Sequence, residues 1–280
     1  MDLRGEQDGG VNGELPPQSV LDAFGVAGTP APLPGGEGRS VRVGGAVFKP
    51  VDDPEEAEWC ASVMAGFQGD GVRVPRPLRS ELGGFVVDGW AAAEFVEGKP
   101  GPGGRWPELF AASKGFHEAL GGVERPGFLE RRTHPWAVAD RVAWGAATVV
   151  EPMPGLRGLL DRLIALRRPL HARSQVIHGD LAGNVLFADG ADPVVIDFSP
   201  YWRPPAYGEA VAVVDGLLWW EAGREVVELA GRGDDFAQLL VRALIFRSVT
   251  LDELCRREGR EIPPAEAERF AVVADLIAQS

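Results

Sequence analysis

The chain has 280 residues, 45% hydrophobic and 25% charged, the composition of one or two globular domains with a sizeable core. Its formal charge of −13 argues against the basic face by which nucleic-acid binders hold phosphates, and no apolar run approaches the ~20 residues of a membrane-spanning helix. Met1 to Glu14 lacks the apolar stretch of a secretory signal, and the two cysteines, Cys60 and Cys255, offer neither a disulfide framework nor a metal-ligand spacing. These features imply a soluble, cytoplasmic protein with no nucleic-acid or membrane partner. Surplus acid also suits a cationic small molecule. Only three lysines occur, Lys49, Lys99 and Lys114, among 28 basic residues, so a lysine kept among arginines invites a reason.

Residues 1–15 read as a disordered N-terminus. A short helix is expected over Val20–Phe24, opened by Ser19. A Pro/Gly-rich stretch, Gly28 to Gly38, leads into two strands, Ser40–Val43 and Ala46–Lys49, joined by the turn Gly44-Gly45. Asp53-Pro54 is an N-cap followed by proline at the first helical position, and the helix should run to about Phe67. Arg76–Arg79 and Phe85–Val96 read as strands, the latter broken at Asp88-Gly89. Gly98–Pro107 reads as a linker. Helices are then expected over Pro107–Leu120, Pro135–Ala146, Leu156–Arg168, Gly208–Ala222, Asp234–Val249 and Pro264–Ala278, with one β-rich insertion at Gln175–Phe198. A small β-rich part with five strands and one helix, a linker and a larger helical part predict a cleft between two lobes.

The most informative segment is Val176-Ile177-His178-Gly179-Asp180-Leu181-Ala182-Gly183-Asn184, followed thirteen residues after Asn184 by Asp197 in Val194-Val195-Ile196-Asp197-Phe198. Two short strands joined by the turn Asp189–Asp192 would set Asn184 and Asp197 at neighbouring ends of a hairpin. Their oxygens suit a hard cation such as Mg2+, and Asp180 nearby is free to orient a hydroxyl or accept its proton. These residues resemble the catalytic and metal motifs of aminoglycoside phosphotransferases and choline kinases, and more distantly of protein kinases. The likeness runs from about residue 30 onward in lobe order as well as motif, and an actinobacterial branch is the narrower placement. Two departures stand out. Three residues separate Asp180 from Asn184 where the family has four, with Gly183 supplying the backbone freedom to re-aim the amide. Ser199 follows Asp-Phe where protein kinases have glycine, which favours the small-molecule branch.

The resemblance implies an α+β, two-lobed protein-kinase-like fold: a nucleotide-binding lobe over residues 16–97 and a helical lobe over 98–280. There is no G-x-x-x-x-G-K-[ST] loop. Instead Gly35, Gly36 and Gly38, with the hydroxyl of Ser40, match the loop that covers the phosphates of ATP. Lys49, between apolar neighbours on a strand, matches the lysine of the α- and β-phosphates. Its ion-pair partner is expected on the following helix, Glu58 first and Glu56 next. Ala92 to Gly98 resembles the interlobe hinge, where the carbonyl of Glu94 and the amide of Val96 read adenine. His178 is expected to brace the loop rather than react. Asp215, a lone acid in an apolar helix, is expected to hold the catalytic-loop backbone. Trp219 and Trp220 read as core. Glu209, Glu221, Asp234 and Asp235 are acids that an amine-bearing acceptor could meet.

The expected activity is transfer of the ATP γ-phosphate, with Mg2+, to a hydroxyl of a small molecule, a cationic, aminoglycoside-like acceptor being one candidate. Asp180 acts on the hydroxyl, and Asn184 and Asp197 hold the metal. A non-catalytic nucleotide-binding regulator of the same fold and an AMP transferase fit the same residues. The acceptor and the oligomeric state are not encoded in these motifs.

Overall fold

The computed structural model describes residues 14–34, 38–149, 151–231 and 234–278. The expected disordered N-terminus therefore lies outside the described residues, except for Glu14 and Leu15.

The N-terminal part is built around a five-stranded antiparallel sheet. Strands β1 (Ala31–Pro32), β2 (Val41–Val43), β3 (Ala46–Pro50), β4 (Val86–Val87) and β5 (Trp90–Glu94) lie in the order β1-β2-β3-β5-β4. The alternation in Val41-Arg42-Val43 and Ala46-Val47-Phe48 turns Val41, Val43, Ala46 and Phe48 inward. There they meet Val20, Leu21 and Phe24 of the first helix and Trp90 and Ala92 of β5. Phe48 is fully buried, edge-on to Phe24 at 5.7 Å, a placement that stabilises by about 2–3 kcal/mol. That helix, α1, spans Gln18–Ala23 and starts after Pro17, so Ser19 lies inside it and does not cap it. Arg76–Arg79 runs alongside β5 through Leu78 N–H to Ala92 O and Glu94 N–H to Arg76 O, yet forms only a single bridge, because prolines at 75 and 77 withhold the donors a ladder needs.

Helix α2 (Pro54–Ala65) begins as the sequence indicates, with Asp53 Oδ1 accepting from the N–H groups of Glu55 and Glu56 at 3.0 and 3.2 Å. The connection that read as a linker holds a two-residue strand, β6 (Lys99–Pro100), paired antiparallel with Leu186 and Phe187. After α3 (Trp106–Ala119), α4 (Pro135–Ala143) and α5 (Pro154–Leu166) come β7 (Gln175–His178), β8 (Val185–Phe187), β9 (Val194–Val195) and β10 (Pro200–Arg203). β8 and β9 form the expected hairpin, while β10 folds back on β7 in a pairing that the sequence did not announce.

The remaining helices are α6 (Ala206–Trp219), α7 (Glu225–Ala230), α8 (Asp234–Glu258) and α9 (Pro264–Ala278). α8 runs well past the expected end at Val249, because Leu251, Leu254 and Cys255 continue its buried face. It stops at Gly259, where Arg260 N–H bonds Cys255 O at 3.0 Å. α8 is the axis of the larger part and packs against α4, α5, α6 and α9. Among the described residues no helix is long and apolar enough to cross a membrane.

Candidate active site

The two parts of the chain meet over the turns at the ends of β7, β8 and β9. His178 closes β7 and is fully buried between Phe116 and Phe198. Burial pushes its pKa down to about 4, so the ring is neutral. Its Nδ1 accepts from the backbone N–H of Asp180 at 3.1 Å, which puts the proton on Nε2, 3.0 Å from the carbonyl of Ile196. One imidazole thus ties the Asp180 turn to the residue preceding Asp197. Gly179 lies against Tyr201, whose ring a β-carbon at that position would meet at 2.3 Å.

The short turn Leu181-Ala182-Gly183 closes through Asn184 N–H to Leu181 O at 3.0 Å. Gly183 holds φ +88°, a backbone that glycine adopts freely and that this three-residue turn uses. Asn184 donates its amide nitrogen to the backbone oxygen of Asp180 at 2.8 Å and to Asp180 Oδ2 at 3.2 Å. This leaves Asn184 Oδ1 as the acceptor atom. Ile196 N–H bonds Asn184 O at 2.9 Å, so the hairpin places Asn184 beside the residue that precedes Asp197. Asp197 has φ +52°, a strained backbone for a residue with a β-carbon.

From the β-rich part, Lys49 on β3 donates to Asp197 Oδ1, and both side chains are about one-third exposed. The expected pairing of Lys49 with Glu58 or Glu56 is not made. Both Glu58 oxygens accept the N–H of Phe85, at 2.8 and 3.1 Å, and Glu56 forms a two-point pair with Arg132. The guanidinium fork of a buried arginine suits that carboxylate better than a single ammonium does. Of the glycine-rich loop, Gly35 and Gly36 lie outside the described residues. Gly38 and Ser40 sit in the β1–β2 connection, with Ser40 O accepting from Leu33 N–H at 2.8 Å. Glu94 ends β5, and Val96 follows in the segment that crosses to β6.

Asp215 departs from its expected role. Its carboxylate bonds not the loop backbone but Arg247 on α8, through Nε at 2.6 Å and Nη2 at 2.5 Å, and Nη2 also reaches Asp180 Oδ1 at 2.5 Å. Burial alone would pull Arg247 down, but Asp215 and Asp180 more than reverse this and hold it charged. A second buried network lies beneath the loop. His178 N–H donates to His117 Nε2 at 3.1 Å, and Ser113 Oγ sits 3.3 Å from His117 Nδ1 and donates to Glu209 at 2.7 Å. Glu209 is thus a scaffold residue and not an acceptor contact. Trp219 packs edge-on to Phe270, as a core residue should. Arg247, His117 and Ser113 were not singled out in the sequence. Their signal is a polar side chain in phase with the apolar face of α8 or α3.

For a cation the donor set is one carboxylate and one amide oxygen, a hard-oxygen pair that suits Mg2+ when phosphate and water complete its shell. Among the described residues no group of three or more His, Cys, Asp or Glu could hold a metal by itself.

The model of the phosphotransferase enzyme family matches residues 35–207, more than half of the chain. No curated protein matches it. Among solved structures, an aminoglycoside phosphotransferase from Alicyclobacillus acidocaldarius is similar, with TM-score 0.62 and 16% identity over 96% of this chain and 95% of that one. Spectinomycin phosphotransferase, solved with ADP and spectinomycin, gives TM-score 0.59 and 14% identity over 93% and 95%. Choline kinase from Streptococcus pneumoniae gives 0.54 and 9% over 93% and 96%. At such identities these structures show the shared two-lobed fold. They lend no support to the narrower actinobacterial placement.

Proposed function

The chain belongs to the phosphotransferase enzyme family, and from that premise we propose that it transfers the γ-phosphate of ATP to a hydroxyl of a small molecule. The observation that carries the reading is the pairing of Lys49, from the β-rich part, with Asp197, whose neighbour Ile196 bonds the backbone of Asn184, which in turn bonds Asp180. ATP binding at a site of this fold is supported by the ADP held by the spectinomycin enzyme.

In this reading residues 16–97 form the nucleotide lobe and 98–280 the helical lobe. Lys49 exchanges its bond to Asp197 for the α- and β-phosphates, with Gly35, Gly36, Gly38 and Ser40 covering them. The carbonyl of Glu94 and the amide of Val96 meet adenine. Asn184 Oδ1 and the Asp197 carboxylate would hold Mg2+, which would supply charge neutralisation on the phosphates. Asp180 orients the acceptor hydroxyl and takes its proton. The acceptor oxygen bonds the γ-phosphorus as the bridging oxygen leaves on ADP with its electron pair. Positioning and charge neutralisation supply most of the rate. His178 braces the loop directly, and Asp215 reaches Asp180 only through Arg247.

The test is an ATP-consumption screen over aminoglycosides, amino alcohols, sugars and nucleosides, with and without Mg2+, followed by the mass of the product. A phosphate-sized increment on the acceptor supports the reading, and an AMP-sized one points to nucleotidyl transfer. ATP binding that is indifferent to metal, with no product from any acceptor, would mark a non-catalytic nucleotide-binding regulator instead. Asp180→Ala should lower turnover by about 1,000-fold or more while ATP affinity survives, whereas Asp197→Ala should weaken metal-dependent ATP binding. Equal losses of affinity in the two variants would contradict these separate roles.

A further inference from the structure

Arg247 lies midway along α8 with its side chain only 4% exposed, and its guanidinium holds two carboxylates from two other elements. Asp215, on α6, is itself buried and bonded through both oxygens. That bidentate pair alone satisfies the buried charge. The third bond, from Nη2 to Asp180 Oδ1, brings a second carboxylate to a guanidinium that Asp215 already holds at two points. Asp180 differs in kind from Asp215: its side chain is 44% exposed, open to solvent on one side while Arg247 grips it from the buried side. Among the described residues its other oxygen, Oδ2, receives only the longer 3.2 Å bond from Asn184 Nδ2 and keeps a lone pair for a ligand. The rings of Phe246 and Trp219 flank the guanidinium, 5.1 and 5.8 Å from its carbon, and restrict its rotation.

We propose that Arg247 is the positioning residue of Asp180: anchored on Asp215, it pins Oδ1 and thereby presents Oδ2 to the acceptor hydroxyl. The inference rests on the phosphotransferase reading and goes beyond it by assigning Asp215 and Arg247 to the orientation of the reacting carboxylate. Arg247 touches neither nucleotide nor acceptor. Its loss should therefore be felt in the chemical step and not in nucleotide binding.

The experiment measures kcat and KM for ATP with the acceptor from the screen, and affinity for Mg2+·AMP-PNP by calorimetry. Arg247→Leu leaves the Asp215 carboxylate buried and unpaired and endangers folding. Two other variants therefore carry the test. Asp215→Asn combined with Arg247→Gln removes both buried charges, and Arg247→Lys keeps a cation but loses the fork. The double variant should lose on the order of 100-fold in kcat with AMP-PNP affinity kept within about threefold, the signature of a displaced reacting group. Arg247→Lys should recover roughly a tenth of wild-type kcat, since a single ammonium can face Asp180 or Asp215 but does not bridge them rigidly. Wild-type kcat in the double variant overturns the proposal, as does a parallel fall in affinity and kcat, which marks a purely structural arginine. If the double variant does not fold, Arg247→Lys decides alone: lowered kcat at unchanged affinity supports the role, and wild-type kcat removes it. A wild-type protein that binds AMP-PNP but turns over no acceptor removes the phosphotransferase reading itself, an outcome distinct from an active enzyme indifferent to Arg247.

Discussion

Asp197 is held at φ +52°, where a β-carbon crowds the backbone, and the strain persists because the flanking hairpin and the His178 bond fix its neighbours. Strain kept at a residue with a ligand-grade carboxylate points to use rather than stability. Asp197→Gly should therefore give a protein about 1 kcal/mol more stable than Asp197→Ala, read from urea midpoints, because both lose the carboxylate but only glycine relieves the backbone. Alanine equal to or better than glycine would show that the backbone is not strained. His178 makes a pH prediction. Its folded pKa is near 4 against an ordinary 6.5, so on acidification the unfolded chain takes up this proton first. Stability is then complete above about pH 6.5 and lost as the pH falls toward 4, by roughly 3 kcal/mol for this group in full. The urea midpoint should drop between about pH 7 and 5.5, and a flat midpoint would mean that the ring is accessible to protons. His134, also lowered to about 4 by burial, contributes in the same direction. His134→Asn keeps an N-cap acceptor for Ala137 N–H and should reduce the slope. Asp180, Asn184 and Asp197 were readable as a group because they lie within eighteen residues joined by one tight hairpin. Arg247 was not, because a contact 67 residues away in sequence is set by helix packing that no local pattern encodes.

Helix α2 shows where helical spacing misleads. Counting along the helix pointed to Glu58 as the partner of Lys49, but register alone does not say which neighbour competes for a carboxylate. Glu58 turns to the Phe85 N–H, and the first turn of α2 is drawn to the helical part by two adjacent arginines. Arg132 is 5% exposed, pairs with Glu56, donates to Pro200 O at 2.7 Å and sits over Phe128. Arg131 pairs with Glu55 in the open, with side chains 60% and 64% exposed. Trp59 adds an apolar contact, stacking on Phe198, the residue after Asp197, and meeting Phe128 edge-on. The latch thus holds α2 against the segment that carries Asp197. Burial decides which arginine matters. Arg132→Ala should cost about 2–4 kcal/mol and Arg131→Ala under about 1 kcal/mol in chemical denaturation. Similar losses at the two positions would contradict the burial argument. The start of α2 was legible because capping is local, as was the β2–β3 hairpin. The β7–β10 pairing and the strand β6 were not, since each depends on a partner supplied from elsewhere in the chain.

At the scale of the molecule, the two parts are joined by the Lys49–Asp197 pair, the α2 latch and the bridge of Arg73 to Val194. Of these, only the first uses groups that the proposed nucleotide and metal would claim. Binding therefore replaces one ion pair by several charge-assisted contacts while leaving the other connections in place, and the two parts should respond as a unit. A ligand at about 100 times its dissociation constant stabilises by about 2.7 kcal/mol. For a chain of this length that corresponds to a rise of roughly 5–10 °C in melting temperature. Mg2+ with AMP-PNP should produce that shift, and AMP-PNP with excess EDTA should produce much less, because Asp197 facing bare phosphates adds like-charge repulsion. Asp197→Ala should remove the difference between the two conditions, since it deletes both the metal ligand and the repelling carboxylate. Lys49→Ala should lower the shift in both conditions, since it removes a phosphate contact that does not depend on metal. An equal shift with Mg2+ and with EDTA in the wild type would show that Asn184 and Asp197 do not hold a cation, and the assignment of the cleft as a metal-dependent phosphotransfer site would fall with it.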